Sequence, residues 1–575
     1  MPAHNADIAA ALNDIADLLD IEGANPFRIR AYRNAARTVG ELGQPVPVLL
    51  ARGADLDDLP GIGPDLAGKI REIAETGSCA LLGRLRRELP PGITELLRVP
   101  GLGPKKVRVL HHELGVQTIE QLHRAAREGR VQAIHGFGPK SQQAILEATA
   151  AQLQDERRIP LWRADQTAAG LLADLAGVPG VARAVAAGSL RRRRETVGDL
   201  DLLVSLSGSS PVIDRFVSGG EVSRVLAHGT TRASVVLRSG LQVDLRAVPA
   251  ESFGAAWVYF TGSKAHNIAL RRLAQERGLK INEYGVFRGR ERLPGATEEA
   301  LYQAIGLRYI EPELREDRGE IEAARQGRLP VLVTLGDLGG DLHVHTRESD
   351  GLDSLEAMTA AARAHGLQYL AITEHSRRLG VARGVDPVRL ARQIDRIDRF
   401  NEQSPGFTVL KGVEVDILED GTLDLPDTIL QRLDLVVGAV HHRLDLPRAK
   451  QTARLLRAMD SRYFTLLAHP GGRLIGERPA CDFDLLRVLR KARERGCFVE
   501  LNAQPSRLDL TDTACQMARD EGVLVCINSD AHSTLEFNHL ACGIDQARRG
   551  WLEKADVLNT RALQDLRPLL ARTMQ

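Results

Sequence analysis

Aromatic residues are scarce, at 4% of 575 residues. The cores must therefore be built from Leu, Val, Ile and Ala, and composition marks no platform on which nucleobases would stack. Cysteine is sparse as well. Cys79, Cys481, Cys497, Cys515, Cys526 and Cys542 form no CxxC pair, which excludes a disulfide scaffold or a zinc finger and predicts buried free thiols in a reducing compartment. No apolar run approaches the length of a membrane span, and the first residues show no basic-then-apolar signal, so no membrane partner is expected. Net charge is only +1. The charge is unevenly spread, however: residues 101–300 carry 28 lysines and arginines against 20 acidic residues, and residues 301–575 carry 37 against 41. A basic middle points to a polyanionic partner. The length suits three or four domains.

What is present begins with a repeat. "LPGIGPDLAGKI" (59–70), "VPGLGPKKVRVL" (99–110) and "IHGFGPKSQQAI" (134–145) each set x-Gly-x-Gly-Pro ahead of an amphipathic helical pattern. Glycine permits the tight turn and close backbone approach, and proline suits the first turn of the following helix. The free N–H groups of such a helix start can hold a phosphate oxygen. This is the helix-hairpin-helix pattern, which grips nucleic-acid backbone without reading bases. Gly61, Gly63, Gly101, Gly103, Lys105, Gly136, Gly138 and Lys140 are the candidate DNA contacts.

A second signal lies in "GSLRRRRETVGDLDLLV" (188–204). Asp199 and Asp201 alternate on a predicted strand and face one way, about 6.5–7 Å apart. Like charges this close require cations between them. Asp244, in the β-rich "LQVDLRAV" (241–248), offers a third carboxylate. Three such groups suit two Mg²⁺ ions in an in-line phosphoryl transfer. Gly188, Ser189 and the Arg192 guanidinium are donors suited to a triphosphate. Arg193 and Arg194 are expected to be solvated or near DNA.

The second half has a different pattern. His343 and His345 alternate on a predicted strand. His375, Glu414, His441, His469, Glu500, Asp530 and His532 then follow short apolar runs separated by helical patterns. Strand-helix repeats suggest a parallel barrel with its chemistry at the C-terminal strand ends. Six histidines and three carboxylates at such ends predict a metal cluster.

These motifs resemble two known families. "GSLRRRRETVGDLDLLV", "YFTGSKAHNIALRRLA" (259–274) and "INEYGVF" (281–287) are similar to family X DNA polymerases, over residues 1–318. The resemblance implies that Asp199, Asp201 and Asp244 are the catalytic metal ligands and that Ser189, Arg192, Gly198 and Arg158 contact the triphosphate. It implies that Tyr259, Phe260 and Gly262 line the sugar and that Asn267 and Arg271 lie near the nascent base pair. Gln242 stands where the animal enzyme has arginine. "NPFRIRAYRNAARTV" (25–39) resembles the start of the family's lyase domain. There Lys69 aligns with the Schiff-base lysine, which must be neutral to attack, and Asp65 replaces another family lysine.

The histidine motifs resemble the PHP (polymerase and histidinol phosphatase) family, a distorted (β/α)7 barrel. This implies nine ligands, His343, His345, Asp350, His375, Glu414, His441, His469, Asp530 and His532, holding three ions, Mn²⁺ or Zn²⁺. Glu374 stands where that family commonly has aspartate, and His442 and Glu500 fall outside the nine.

The tandem implies the following organisation: a lyase-like helical domain at 1–90, a helix-hairpin-helix subdomain at 91–150, and an α+β nucleotidyltransferase palm at 151–255. A nascent-base-pair subdomain or thumb at 256–318, a linker at 319–338 and the PHP domain at 339–575 complete it. The expected function is gap filling in DNA repair by nucleotidyl transfer with Mg²⁺ or Mn²⁺, joined to a 3′–5′ exonuclease or 3′-end-cleaning activity. The partners would be gapped or nicked duplex DNA and deoxynucleoside triphosphates, handled by a cytoplasmic, nucleoid-associated monomer. Two other readings compete. A non-catalytic DNA-end scaffold is disfavoured by the intact carboxylate and histidine sets, and a nucleotidyltransferase for a small molecule or RNA is disfavoured by the hairpins and YFTGS.

Overall fold

The computed structural model describes residues 5–40, 46–51, 54–59, 61–89, 93, 95–99, 101–155, 158–293 and 295–575. Pro60 and Pro100 of the first two repeats, and the expected boundary at 90/91, lie outside these residues. The chain divides into two compact units: residues 1–156 with 377–384, and residues 157–376 with 385–575.

The first unit is helical. In the helix Asn5–Glu22, the residues Ile8, Leu12, Ile15 and Leu19 recur at helical spacing and are fully buried, giving one apolar stripe facing the core. Three hairpins share one construction. A short 3₁₀ turn (Leu56–Asp58, Glu95–Arg98, Val131–Ala133) precedes a glycine of positive φ and then a helix that starts at proline. The helices are Pro64–Thr76, Pro104–Leu114 and Pro139–Asp155. Gly61, Gly101 and Gly136 have φ of +76°, +82° and +91°, a conformation that favours glycine. The residue after each, Ile62, Leu102 or Phe137, is buried and anchors its turn in the core.

In the second unit, a five-stranded sheet runs in the order Val181–Ala186, Asp199–Leu206, Gln242–Pro249, Arg232–Leu237, Val222–His228. Its only parallel pair is Asp199–Leu206 with Gln242–Pro249; the remaining pairs are antiparallel. Leu200 and Leu202 point into the core, so the intervening aspartates Asp199 and Asp201 must share the other face.

The helix Phe253–Thr261 and the segment to Leu314 form a smaller body around Val258, Leu270, Leu301 and Tyr302. Arg191 of the large sheet's loop reaches it. Its guanidinium donates to both oxygens of Glu298, at 2.7 and 2.5 Å, and lies 3.4 Å from the centre of the Trp257 ring. Arg315, fully buried, donates to Glu298 at 2.9 Å.

Eight parallel strands in two sheets, the first three in one and the other five in the second, form a barrel-like C-terminal domain, with a parallel bridge between His375 and Glu414 linking the sheets. They are Gly340–Val344, Tyr369–Ile372, Thr408–Lys411, Glu414–Asp416, Val437–Ala439, Leu466–Leu467, Phe498–Asn502 and Val525–Asn528. A parallel bridge between Val344 and Ala531 joins the last segment to the first, and the His345 N–H donates to the Ala531 carbonyl at 2.9 Å. Leu342, Tyr369, Leu410, Val437, Leu466 and Cys526 fill the interior, closed by Leu566 and Leu570 of the helix Leu563–Thr573. All six cysteines are free; five are buried and Cys542 is half-buried.

Residues 319–338, expected as a linker, are packed structure. Glu320 is fully buried and accepts from His266 Nδ1 at 2.6 Å, and Leu332 joins the core of the smaller body. Val333 and Leu338 belong to the core around the barrel. The acids here are engaged as hydrogen-bond acceptors: Glu322 accepts from Arg325 at 2.9 Å, and Asp337 from the Thr334 hydroxyl at 2.7 Å.

The Glu298 cluster sets a stability expectation. Burial opposes its charge, yet Arg191 and Arg315 outweigh burial and hold its pKa at about 2. The stabilisation is therefore complete above the ordinary carboxylate pKa and is lost as pH falls toward 2. Glu298→Ala leaves Arg315 buried and unpaired, and should cost about 3–5 kcal/mol at pH 7. Chemical denaturation of both proteins checks this: the gap should be full at pH 7 and should narrow below about pH 4.5. An unchanged midpoint at pH 7 would contradict it.

Candidate active sites

The parallel register sets Asp201 opposite Asp244 and Asp199 opposite Gln242. The three predicted carboxylates thus meet on one face of the sheet. Burial, together with Asp199 and Asp244, pushes Asp201 up to about 7, and burial with Asp244 raises Asp199. Three oxygen donors on one face fit hard divalent ions. Ser234 Oγ and the Gln242 amide (2.9 Å) donate to Asp244 and orient it. Gly188 has a φ of +59°, and a Cβ there would collide with the Asp201 carboxylate. This is why the turn before the arginines must be glycine.

Three of the four arginines, Arg191, Arg192 and Arg193, are engaged in hydrogen-bonded ion pairs. Arg192 Nε donates to Glu316 at 3.1 Å, and its Nη1 donates to the Thr261 carbonyl at 2.5 Å. Arg193, expected in solvent or near DNA, instead forks between Asp165 (2.7 and 2.8 Å) and Asp545 of the barrel half (2.9 and 2.6 Å). Arg194 Nη1 lies 3.9 Å from Glu316. Glu195 accepts from Arg473, at 3.1 and 2.6 Å.

The remaining predicted nucleotide contacts gather round this loop. Arg158 Nε donates to Thr196 Oγ1 at 2.8 Å, and its Nη1 would lie 3.3 Å from a Cβ at Gly198. Tyr259 and Phe260 stand edge to face, 5.2 Å apart, at the end of the helix that stops at Gly262 (φ +71°). Asn267 Nδ2 donates to the Tyr259 carbonyl at 2.7 Å, and Arg271 lies over the Tyr259 ring at 5.8 Å. Ser189 sits in the short helix Gly188–Arg191.

The barrel centre is built on Glu414. Its carboxylate lies 2.6 Å from His375 Nδ1, 2.9 Å from His469 Nε2, 3.2 Å from His441 Nε2 and 3.4 Å from His343 Nε2. Asp530 lies 3.2 Å from His345 Nε2, and Asp350 lies 3.4 Å from both His375 and His532. Among the described residues these side chains form three overlapping groups able to hold an ion: His345, Asp350, His375 and His532; His343, His345 and Asp530; His375, Glu414 and His441.

Seven buried atoms in the cluster have no hydrogen bond: His343 Nε2, both ring nitrogens of His345, Asp350 Oδ1, His375 Nδ1, Glu414 Oε2 and His469 Nδ1. Buried polar atoms are otherwise paired, so a concentration of orphans with lone pairs facing one another fits metal ions. His469 and Asp530 carry positive φ, +27° and +53°, strain of the kind that collects at functional sites.

Of the residues behind the ligands, the sequence reading named Glu500 and Glu374 and missed Asp416 and Asn502. Asp416 accepts from His441 Nδ1 at 3.0 Å; two residues past Glu414, it was findable by strand alternation. Asn502 donates to Asp530 at 3.0 Å. Glu500 accepts from His343 Nδ1 at 2.7 Å and from the His469 N–H at 2.8 Å, so it stands behind the cluster. Glu374 is fully buried and accepts from Thr346 and Ser349, tying down the loop that carries Asp350.

In the helical unit, Lys105 and Lys140 are exposed at the starts of their helices. Lys69 donates to Asp65, one helical turn before it. Burial pulls its pKa down, but the hydrogen bond to Asp65 and the proximity of Tyr32 outweigh this and raise it.

Comparison with known proteins agrees with this geometry. Family models described as a DNA polymerase beta thumb and a PHP domain match residues 256–316 and 341–503. A helix-hairpin-helix domain matches residues 3–79, and a SAM-like helix-hairpin-helix tandem matches 93–151. The DNA polymerase/3′-5′ exonuclease PolX of Bacillus subtilis (strain 168) is 37% identical over 573 residues, 99% of this chain and 100% of the relative. DNA polymerase lambda of Rattus norvegicus is 25% identical over 348 residues, 54% of this chain and 56% of the relative. A probable phosphatase of Acetivibrio thermocellus is 30% identical over 205 residues, 34% of this chain and 80% of that protein. A full-length match at this identity, carried by hairpins, thumb and barrel together, makes the chain a member of the family X DNA polymerases that carry a C-terminal PHP domain.

Proposed function

We propose that the chain is a DNA-directed DNA polymerase that fills short gaps during repair, and that its barrel removes nucleotides from DNA 3′ ends. One observation carries this reading: a single chain brings together two separate centres of divalent-ion type, one of three carboxylates and one of six imidazoles and three carboxylates. The three hairpins supply sequence-independent grip on the duplex. The Bacillus relative's printed name couples the same two activities.

Divalent ions, when bound, supply neutralisation of phosphate charge and activation of the attacking oxygen. Asp199, Asp201 and Asp244 would hold them on the sheet, where oxygen ligands suit Mg²⁺ or Mn²⁺. Ser189, Arg192, Gly198 and Arg158 bind the triphosphate. Tyr259, Phe260 and Gly262 wall the sugar and exclude a 2′-hydroxyl by crowding, and Asn267 and Arg271 face the nascent pair. In the barrel the nine predicted ligands would hold three ions, and imidazole favours Mn²⁺ or Zn²⁺. Glu500 and Asp416 are acceptors only, so they keep the proton on Nδ1 of His343 and His441 and turn Nε2 inward. Both centres are complete within one chain, which supports a monomer. DNA as substrate and six free thiols support a cytoplasmic, nucleoid-associated protein. No helix among the described residues is long and apolar enough to cross a membrane.

Separate ligand sets predict separable activities. Asp199→Ala with Asp201→Ala should abolish primer extension on gapped DNA and spare 3′ degradation. His343→Ala with His345→Ala should do the reverse, and Mn²⁺ should support the degradation better than Mg²⁺. Extension by the first variant at the wild-type rate, or degradation by the second, rules out the corresponding assignment.

The hairpins predict that DNA affinity of the full chain falls steeply with salt and little with sequence. The slope of log affinity against log salt should steepen by roughly −0.9 for each phosphate neutralised. A filter-binding series on two unrelated duplexes measures it, and a flat response contradicts backbone binding.

Lys69, held charged by Asp65, is read as a phosphate-holding residue. Borohydride trapping on a 5′ abasic end at pH 7 should give little adduct with wild type. Asp65→Ala should raise the yield, and adding Lys69→Ala should remove the gain. A strong wild-type adduct that disappears in Lys69→Ala would restore the lyase assignment.

A further inference from the structure

Arg549 belongs to the barrel half, at the end of the helix Leu540–Arg549, and is 2% exposed. Its Nη1 donates to the backbone carbonyl of Arg192 at 2.7 Å and to Glu316 Oε1 at 3.1 Å, and its Nη2 donates to Asp512 at 2.7 Å. Arg192 Nε donates to that same Glu316 oxygen, also at 3.1 Å. One largely buried carboxylate oxygen is thus shared by two guanidiniums, one from each half of the enzyme. The same helix presents Asp545 to Arg193 and Gln546 to Glu195, so the loop's base is fixed on this side.

The arrangement bears on nucleotide binding, given the reading above of Arg192 as a triphosphate contact. Arg192 cannot serve the triphosphate fully while it serves Glu316. Without Arg549, Glu316 would face only the more distant Arg194, 3.9 Å away, whenever Arg192 departed, and would lose its hydrogen-bonded counter-ion at a large cost. Arg549 removes that cost because it stays. We propose that Arg549 is a positioning residue for the polymerase: as the standing counter-ion of Glu316, and by holding the Arg192 carbonyl, it lets Arg192 exchange that carboxylate for an incoming deoxynucleoside triphosphate. No covalent step is involved. One anion replaces another on Arg192, and Glu316 remains paired.

The test uses the full chain on gapped DNA with the triphosphate varied. Arg549→Met should raise KM for the triphosphate about tenfold, change kcat less, and leave 3′ degradation at the wild-type rate. Arg549→Lys should fall between. The decisive variant is Arg549→Met with Glu316→Gln, which should return KM close to wild type, because no carboxylate then competes for Arg192; a merely structural role for Arg549 predicts no such rescue. Arg192→Ala separates the two layers. If it leaves KM unchanged, the triphosphate reading of Arg192 is wrong. If it raises KM while Arg549→Met does not, the counter-ion role alone is overturned. Should Arg549→Met lose both activities through misfolding, Glu316→Gln alone decides: a KM at or below wild type is expected, and a raised KM overturns the proposal.

Discussion

Five consecutive charged residues, Arg191 to Glu195, cannot be drawn in from solvent unless each finds a partner of opposite sign. That requirement organises the second unit. Arg191 is answered by Glu298, Arg192 by Glu316, Arg193 by Asp165 and Asp545, and Glu195 by Arg473. The partners come from four stretches of chain that are far apart in sequence, at residues 165, 298–316, 473 and 545. Buried ion pairs contribute less to net stability than to geometry, because desolvation offsets much of their attraction. Their effect here is to fix a loop: the turn that precedes Asp199 and Asp201 is held from the sheet, from the smaller helical body and from the barrel at once.

The two centres handle crowded ligands by different means. On the sheet, strand alternation and a parallel register bring three carboxylates to one face, and only oxygen is offered. In the barrel, parallel strands end side by side, so residues distant in sequence converge at one rim. Glu414 there touches four imidazoles, while Glu500 and Asp416 turn rings from behind. Arg473 lies between the centres. It follows His469 by four residues, and it reaches both Glu195 and the carbonyl of Leu508. Asp509, next in the chain, pairs by backbone hydrogen bonds with Asn502, whose amide holds Asp530.

Much of this was legible in the sequence because it rests on short-range periodicity. Asp199 and Asp201 are two apart on a strand, Asp244 sits in a second strand pattern, and the histidines follow apolar runs; each rule is local. The turns of the hairpins were legible for the same reason, since a positive-φ glycine and a helix-starting proline leave marks within six residues. What could not be read was pairing across distance. Nothing near Arg193 points to Asp545, and nothing near Arg192 points to Arg549. The segment 319–338 was assigned as a linker between the two resemblances, whereas Glu320 within it is buried against His266. Lys69 was placed by its neighbours in sequence, and its hydrogen bond to Asp65 lies one helical turn away.

That packed segment has a consequence for how the molecule can be inherited and cut. Leu332 lies in the core of the smaller helical body and Val333, its neighbour, lies in the core of the barrel. Two adjacent residues therefore face different cores, with no slack between them. The pair is bracketed by exposed residues, Val331 and Leu335, and a shortened gene starting at the barrel's first strand would lack Val333 from the core around the barrel. Recombination that shuffles the two halves must carry the matching seam with it.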